Sequence, residues 1–240
     1  MAFARKLASD HDLLLIARRR GLLEALATEL ADRHGTTVTI LAADLTDEAQ
    51  LRLVADRIAN EPALGLLVNN AGFGSRGAFW NADLAVIERM HRLHVMAVVR
   101  LTHAALGRLV AQNRGGVINV ASVAAFAQRA GSAGYGATKS WLTALSEGIH
   151  LDLKKADSAV KIQALCPGFT YSEFHDVLGE HRDLLAPASL WLTADEVVEA
   201  SLRGLRCGSL FVVPGWRYKL LVAILGILPA WLRLRMEASR

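Results

Sequence analysis

The 240-residue sequence predicts one α/β domain built on a doubly wound parallel sheet, three layers deep. Two observations carry that reading. Short, nearly continuous apolar runs alternate with longer stretches that repeat leucine and alanine at helical intervals, and no internal repeat, low-complexity segment or linker breaks the alternation. Composition agrees: 52% apolar and 21% charged residues with five prolines describe a chain that buries a substantial core, not a disordered or collagen-like one.

The strands are expected at 12–17 (DLLLIA), 37–42 (TVTILA), 65–69 (GLLVN), 116–120 (GVINV), 160–166 (VKIQALC) and 209–213 (SLFVV). Unbroken apolarity is what a parallel strand needs when helices cover both of its faces. Helices are expected at 21–34, 47–61, 83–113, 134–156 and 193–206, with Thr46 or Asp47 as the N-cap of the second. The first ten residues, MAFARKLASD, read as amphipathic helix and contain no apolar core of signal-peptide length. Cys166 and Cys207 form neither a disulfide framework nor a metal motif, and no H-E-x-x-H spacing occurs, so no metal is expected and a reducing, cytoplasmic setting fits.

The formal charge of +4 comes from 27 basic and 23 acidic residues, mixed along most of the chain. No aromatic-basic recognition pattern accompanies it, which argues against nucleic acid as a partner. The basic residues cluster only near the end, as Arg217, Lys219, Arg233, Arg235 and Arg240, around the uncharged run 220–232. At 13 residues with Pro229 inside, that run is shorter than the ~20 residues needed to span a bilayer. It reads as a helical tail, 216–240, attached to a main domain, 1–215. Packing against protein is the favoured role, with weak membrane-surface contact through 217–235 as the other.

In a doubly wound sheet, ligands sit beyond the carboxyl ends of the strands, so the residues following each strand carry the functional reading. After the first run come Arg18 and Arg19, whose planar forks suit a 2′-phosphate; a solvated basic loop is the alternative. After the second stand Asp44 and Leu45, with Asp44 able to accept from an adenine amino group or to cap a helix. The third ends in Asn69-Asn70-Ala71-Gly72, where two amides can tie strands together and small residues allow close approach of a flat ring. Ser122 follows the fourth. Tyr135 and Lys139 lie thirteen and seventeen residues further on. Their i, i+4 spacing sets both side chains on one helix face, where a lysine cation is expected to lower the pKa of the phenol. Pro167-Gly168 and Thr170 follow the fifth run, with Ser172 two residues on.

With these motifs in these positions, nearly the whole chain resembles the short-chain dehydrogenase/reductase family, whose domain is Rossmann-like. The resemblance implies hydride transfer between a nicotinamide and a carbonyl or secondary alcohol, with Tyr135 as proton donor or acceptor. Ser122 would orient the substrate oxygen, and Lys139 would lower the tyrosine pKa and bind nicotinamide ribose. Asn70, Ala71 and Gly72 would lie against the adenosine half and Asp44 and Leu45 at adenine. Pro167 and Gly168 would border the nicotinamide, and Thr170 or Ser172 would meet its carboxamide or the pyrophosphate. Arg18 and Arg19 match the NADP-preferring pattern, so NADP is expected in preference to NAD. Family members commonly associate through the two helices at 83–113 and 134–156, which implies a homodimer or homotetramer.

The sequence departs from the family twice. His94 stands where the family has an asparagine that holds a relay water. A histidine can do the same but becomes a cation at lower pH, opposing Lys139; a structural core histidine is the alternative. The larger departure is at the start. Residues 1–20 contain no glycine, whereas the family opens with a strand and the turn T-G-x-x-x-G-x-G. The chain is therefore expected to begin roughly 12–20 residues late, taking one strand plus its turn, and to leave two unpaired interior edges in the sheet.

Segment 169–193, with Phe174, Leu178, Leu184, Leu185 and Trp191, reads as a cover over an apolar substrate pocket. Hydrophobic carbonyls or alcohols are thus expected over sugars. The competing reading is a non-catalytic or cofactor-deficient binding or scaffold protein, which the joint retention of Ser122, Tyr135 and Lys139 opposes. An epimerase or dehydratase is disfavoured, because only about 70 residues follow Gly168.

Overall fold

A computed structural model describes residues 1–174 and 185–238. Six parallel strands form: β1 (Leu13–Ala17), β2 (Val38–Ala42), β3 (Leu66–Asn69), β4 (Gly116–Val120), β5 (Lys161–Leu165) and β6 (Phe211–Val212). The helices between and around them are α1 (Ala2–Leu7), α2 (Arg20–His34), α3 (Glu48–Ala59), α4 (Leu84–His91), α5 (Val98–Gln112), α6 (Ala133–Lys155), α7 (Ala194–Arg206), α8 (Trp216–Ile227) and α9 (Ala230–Ala238). Asp47 caps α3 by accepting from the Gln50 amide, and Thr193 and Glu196 close a reciprocal capping box on α7.

The expected helix at 83–113 is present and runs without a break from Leu84 to Gln112, with a π-helical turn, Arg92–Ala97, between α4 and α5. The extra residue in that turn rotates the backbone so that His94 and Ala97 face inward and are buried.

The sheet is divided. β1 pairs with β2, and β3, β4, β5 and β6 pair in that order, while among the described residues β1 and β3 do not pair with each other. The two interior edges expected from the sequence are therefore present. Helices hold the halves together. On one face, Leu51, Val54 and Ile58 of α3 pack with Leu101, Ala105 and Leu109 of α5 and with Val117 and Ile162, in one cluster that also takes in Ile16 and Leu41. On the other face α1 bridges: Ala4 joins Leu26 and Leu30 of α2, while Phe3 lies against the Ile118, Leu165 and Val197 cluster under α7. Arg5 forms a two-pronged pair with Glu29 on α2, and Lys6 reaches Glu199 on α7.

Two buried polar networks fix the larger half. The Asn69 amide donates to Thr102 on α5 (3.0 Å) and to the Asn119 carbonyl oxygen (2.9 Å); Asn119 in turn donates to Ser146 on α6 (3.0 Å). On the opposite face Gln163 donates to the Ser201 carbonyl (3.0 Å), and the Ser201 hydroxyl donates back to the Gln163 side chain (2.5 Å). Asn119, Ser146, Gln163 and Ser201 are fully buried, so each bond satisfies a group that water cannot reach. Replacing Asn119→Ala strands the Asn69 and Ser146 partners, and is expected to lower unfolding free energy by ~1–3 kcal/mol in a urea titration.

Candidate active site

A cavity of 2290 Å³ opens at the carboxyl ends of β1–β5 and continues between the facing edges of β1 and β3. Its size exceeds the ~300–1,000 Å³ of an ordinary small-molecule pocket because the division in the sheet and the surface cleft form one space. Ser122, Tyr135 and Lys139 line it, as do Arg18, Arg19, Asp44, Leu45, Asn70, Ala71, Gly72, Pro167, Gly168 and Thr170. The fold thus gathers residues more than 150 positions apart around one space, with His94 behind its wall.

Ser122 leaves β4 in an extended conformation and turns the chain into a short 3-10 segment, its Oγ accepting from the Ala124 amide (3.1 Å). From the first turn of α6, Tyr135 faces the same space as this serine, whose hydroxyl favours the phenolate. One turn later Lys139 is buried, its Nζ donating to the Val120 carbonyl (2.7 Å) and lying 5.6 Å from the centre of the Tyr135 ring. The expected lowering of the tyrosine pKa by this cation is not what the arrangement produces. Burial pushes the Tyr135 phenol up to about 12, with the Ser122 hydroxyl pulling the other way. Burial also brings Lys139 down to about 8. The ammonium sits over the ring rather than against the hydroxyl, so desolvation outweighs it. At neutral pH the pair is a protonated phenol beside a lysine that remains mostly charged.

His94 also differs from expectation. Its Nε2 accepts from the Phe73 amide (3.1 Å), and its Nδ1 lies 2.9 Å from the Thr138 hydroxyl, which donates to the Tyr135 carbonyl (2.8 Å). An accepting Nε2 and a hydroxyl whose proton is already committed require the neutral ring protonated at Nδ1. Both nitrogens are used by protein atoms. The expected cationic form at lower pH is disfavoured by burial first, then by the charges of Lys139 and His91, which bring the ring pKa down to about 2. Gly72 explains why this ring fits: a Cβ there would lie 2.9 Å from Nε2.

The remaining predicted residues lie around the cavity, several with partners of their own. Asp44 accepts from the Thr46 amide (2.9 Å) and hydroxyl (2.7 Å) and faces Arg89 at 3.4 Å. These bonds and the arginine keep its carboxyl below the usual range although burial opposes them. Arg19 pairs with Glu173. Thr170 turns its hydroxyl to the Gly168 carbonyl (3.0 Å). Gly168 itself backs onto Tyr218, where a Cβ would come within 2.0 Å of the ring. From the predicted cover, Phe174 packs on Tyr135 with centroids 5.6 Å apart, Leu185 lines the cavity and Trp191 is buried. Leu178 and Leu184 lie outside the described residues.

The family model for short chain dehydrogenases matches residues 1–183. The chain belongs to that family. A curated relative, 3-oxoacyl-(acyl-carrier-protein) reductase of Aquifex aeolicus, is 27% identical over 181 residues, covering 75% of this chain and 72% of its own. Human 17-beta-hydroxysteroid dehydrogenase type 3 is 28% identical over 228 residues, covering 92% of this chain and 68% of its own. A short-chain dehydrogenase from Sphingobium yanoikuyae, solved in complex with NADPH, is 32% identical with a TM-score of 0.84, covering 95% of this chain and 91% of that one.

The family implies a nicotinamide dinucleotide, and the residues present fit its two ends. A phenol, a hydroxyl and an ammonium converge at one end of the cavity, and a carboxylate with Arg18 stands at the other. Tyr218 was not foreseen from the sequence. Its hydroxyl accepts from the Phe169 amide (3.0 Å) and donates to the Leu190 carbonyl (2.7 Å), fastening α8 to the chain after β5. The one signal that hinted at it was a tyrosine shortly after Val213-Pro214-Gly215.

Because His94 protonates only near pH 2 when folded but near its ordinary 6.5 when unfolded, the unfolded chain binds the extra proton across that interval. Stability should therefore fall as pH drops below 6.5, by up to ~1.4 kcal/mol per pH unit from this residue. Denaturant midpoints measured from pH 7 to 4 should show the fall, and a shallower one in His94→Asn.

Proposed function

We propose that the protein is an NADP-preferring oxidoreductase that interconverts an apolar carbonyl compound and its secondary alcohol, with Tyr135 as acid and base. The single observation that carries this reading is the convergence of Ser122, Tyr135 and Lys139 on one cavity, with the Lys139 ammonium 5.6 Å from the centre of the Tyr135 ring. When bound, the nicotinamide supplies the hydride to the carbonyl carbon, or receives it in the reverse direction. In reduction, Tyr135 gives its phenolic proton to the carbonyl oxygen, which the Ser122 hydroxyl orients. The phenolate left behind is stabilised by Ser122 and by the Lys139 ammonium held on the Val120 carbonyl. His94 acts one step back. Through Thr138 it ties the Tyr135 backbone to the 70–74 turn, and serves to position the tyrosine rather than to carry its proton.

Arg18 and Arg19 support NADP over NAD, since both border the cavity beyond β1. Residues 167–172 would run along the nicotinamide side, and Asp44, Leu45, Asn70, Ala71 and Gly72 along the adenosine side. Phe169, Phe174, Leu185, Pro187, Leu190 and Leu221 line the substrate side and support an apolar compound. The steroid named for one relative is of that kind. The outer faces of α5 and α6 expose Val99, Val110 and Leu151, with Met96 in the adjoining π turn, which supports a homodimer or homotetramer formed through these helices.

The test is NADPH titration by fluorescence together with turnover on bulky aliphatic or steroidal ketones. Tyr135→Phe should retain NADPH binding and lose turnover by at least ~10²-fold; undiminished turnover overturns the role given to Tyr135. NADPH binding absent from the wild type would instead favour the scaffold reading. Turnover in the reducing direction should also decline as pH rises through about 8, where Lys139 gives up its charge.

A further inference from the structure

The tail helices present an apolar surface that the rest of the described chain leaves open. Trp216 is 67% exposed, Ile227 82%, Trp231 65% and Leu234 67%, and Leu220, Leu221 and Ile224 on α8 are also exposed. From Pro214 to the end of α9 at Ala238 the sequence holds four cations, Arg217, Lys219, Arg233 and Arg235, against one carboxylate, Glu237. The cations and the two tryptophans stand at the two ends of the apolar stretch, while its middle, 220–230, is uncharged. From this arrangement we propose that α8 and α9 form an interfacial docking surface for an anionic phospholipid bilayer, lying along the headgroups rather than crossing them.

Three physical points select this occupant. The first is reach. At ~1.5 Å per residue, α8 extends about 18 Å, against the ~30 Å of a hydrocarbon core, and the Leu228-Pro229 break redirects the chain after it. The second is attachment. Tyr218 is buried and bonded to both the Phe169 amide and the Leu190 carbonyl, so α8 stays fixed on the body of the protein and offers only its outer side. The third is charge. A second copy docked through this surface by a two-fold axis would bring four cations from each copy against their equivalents with Glu237 alone to receive them, whereas anionic headgroups neutralise them all. Tryptophans at the rim are the side chains that prefer the headgroup depth. Arg217, Tyr218, Leu221 and Leu225 also line the cavity, so the bilayer would lie next to its mouth.

The contact is independent of catalysis and is read without turnover. Full-length protein is sedimented with sucrose-loaded vesicles of phosphatidylcholine alone, or of phosphatidylcholine and phosphatidylglycerol in equal parts, while tryptophan emission is recorded. The protein should pellet with the anionic vesicles, shift its emission to the blue and come off at high salt. Neutralising Lys219→Gln with Arg235→Gln should lower the partition coefficient by about tenfold or more. Ile227→Ser with Trp231→Ala, at exposed positions where folding tolerates the change, should lower it further. Equal partition onto neutral and anionic vesicles, or none onto either, overturns the proposal. So does a dimer seen by light scattering that Ile227→Ser dissociates, since the surface would then belong to a second copy.

Discussion

The interaction on which the rest of the structure depends is the packing of α3 against α5 across a divided sheet. β1–β2 and β3–β6 share no backbone ladder among the described residues, so their relative position rests on side chains. Leu51, Val54 and Ile58 meet Leu101, Ala105 and Leu109 in a cluster that reaches both parts of the sheet, and α1 supplies the second link on the opposite face. Such contacts are non-directional, unlike a hydrogen-bonded ladder. The surface ion pairs at Arg5 and Lys6 add little to this, being exposed to solvent. The same division explains the cavity, because the space between the halves merges with the cleft beyond the strand ends.

Within the larger half, polar bonds take over what apolar packing cannot specify. Asn69 and Asn119 lock β3 and β4 to α5 and α6, and this sets where Ser122 leaves β4 relative to Tyr135 on α6. His94 adds a second strut between the turn after β3 and the same helix, made possible by the π turn that points it inward and by the missing side chain at Gly72. The placement of Ser122 and Tyr135 is a product of buried amides, hydroxyls and one neutral imidazole. Groups of this kind tolerate little displacement, because each broken bond leaves a polar atom without water.

Electrostatics follow from depth more than from neighbours. Spacing along α6 correctly brings Lys139 next to Tyr135, yet the proximity does not yield an acidic phenol, since both groups are desolvated and the ammonium lies over the ring face. The direction of each shift depends on how far water is excluded, a quantity no interval between two residues encodes. Burial leaves the Tyr135 phenol protonated and the His94 ring neutral at ordinary pH.

Much of this was legible in the chain itself. Runs such as LLLIA and GVINV declare parallel strands buried on both faces, and the helical intervals between them dictate a doubly wound order, because each element has one way to hide its apolar face. Ser122, Tyr135 and Lys139 were readable for the same reason: strand ends and i, i+4 positions are local geometry. The π turn at Arg92–Ala97, the two bonds of His94, the raised phenol of Tyr135 and the clasp of Tyr218 on Gly168 were not. Each depends on which distant group arrives alongside and on how much water it displaces. Those facts exist only once α5, α6 and α8 have closed around the same space, so the tertiary structure alone decides them.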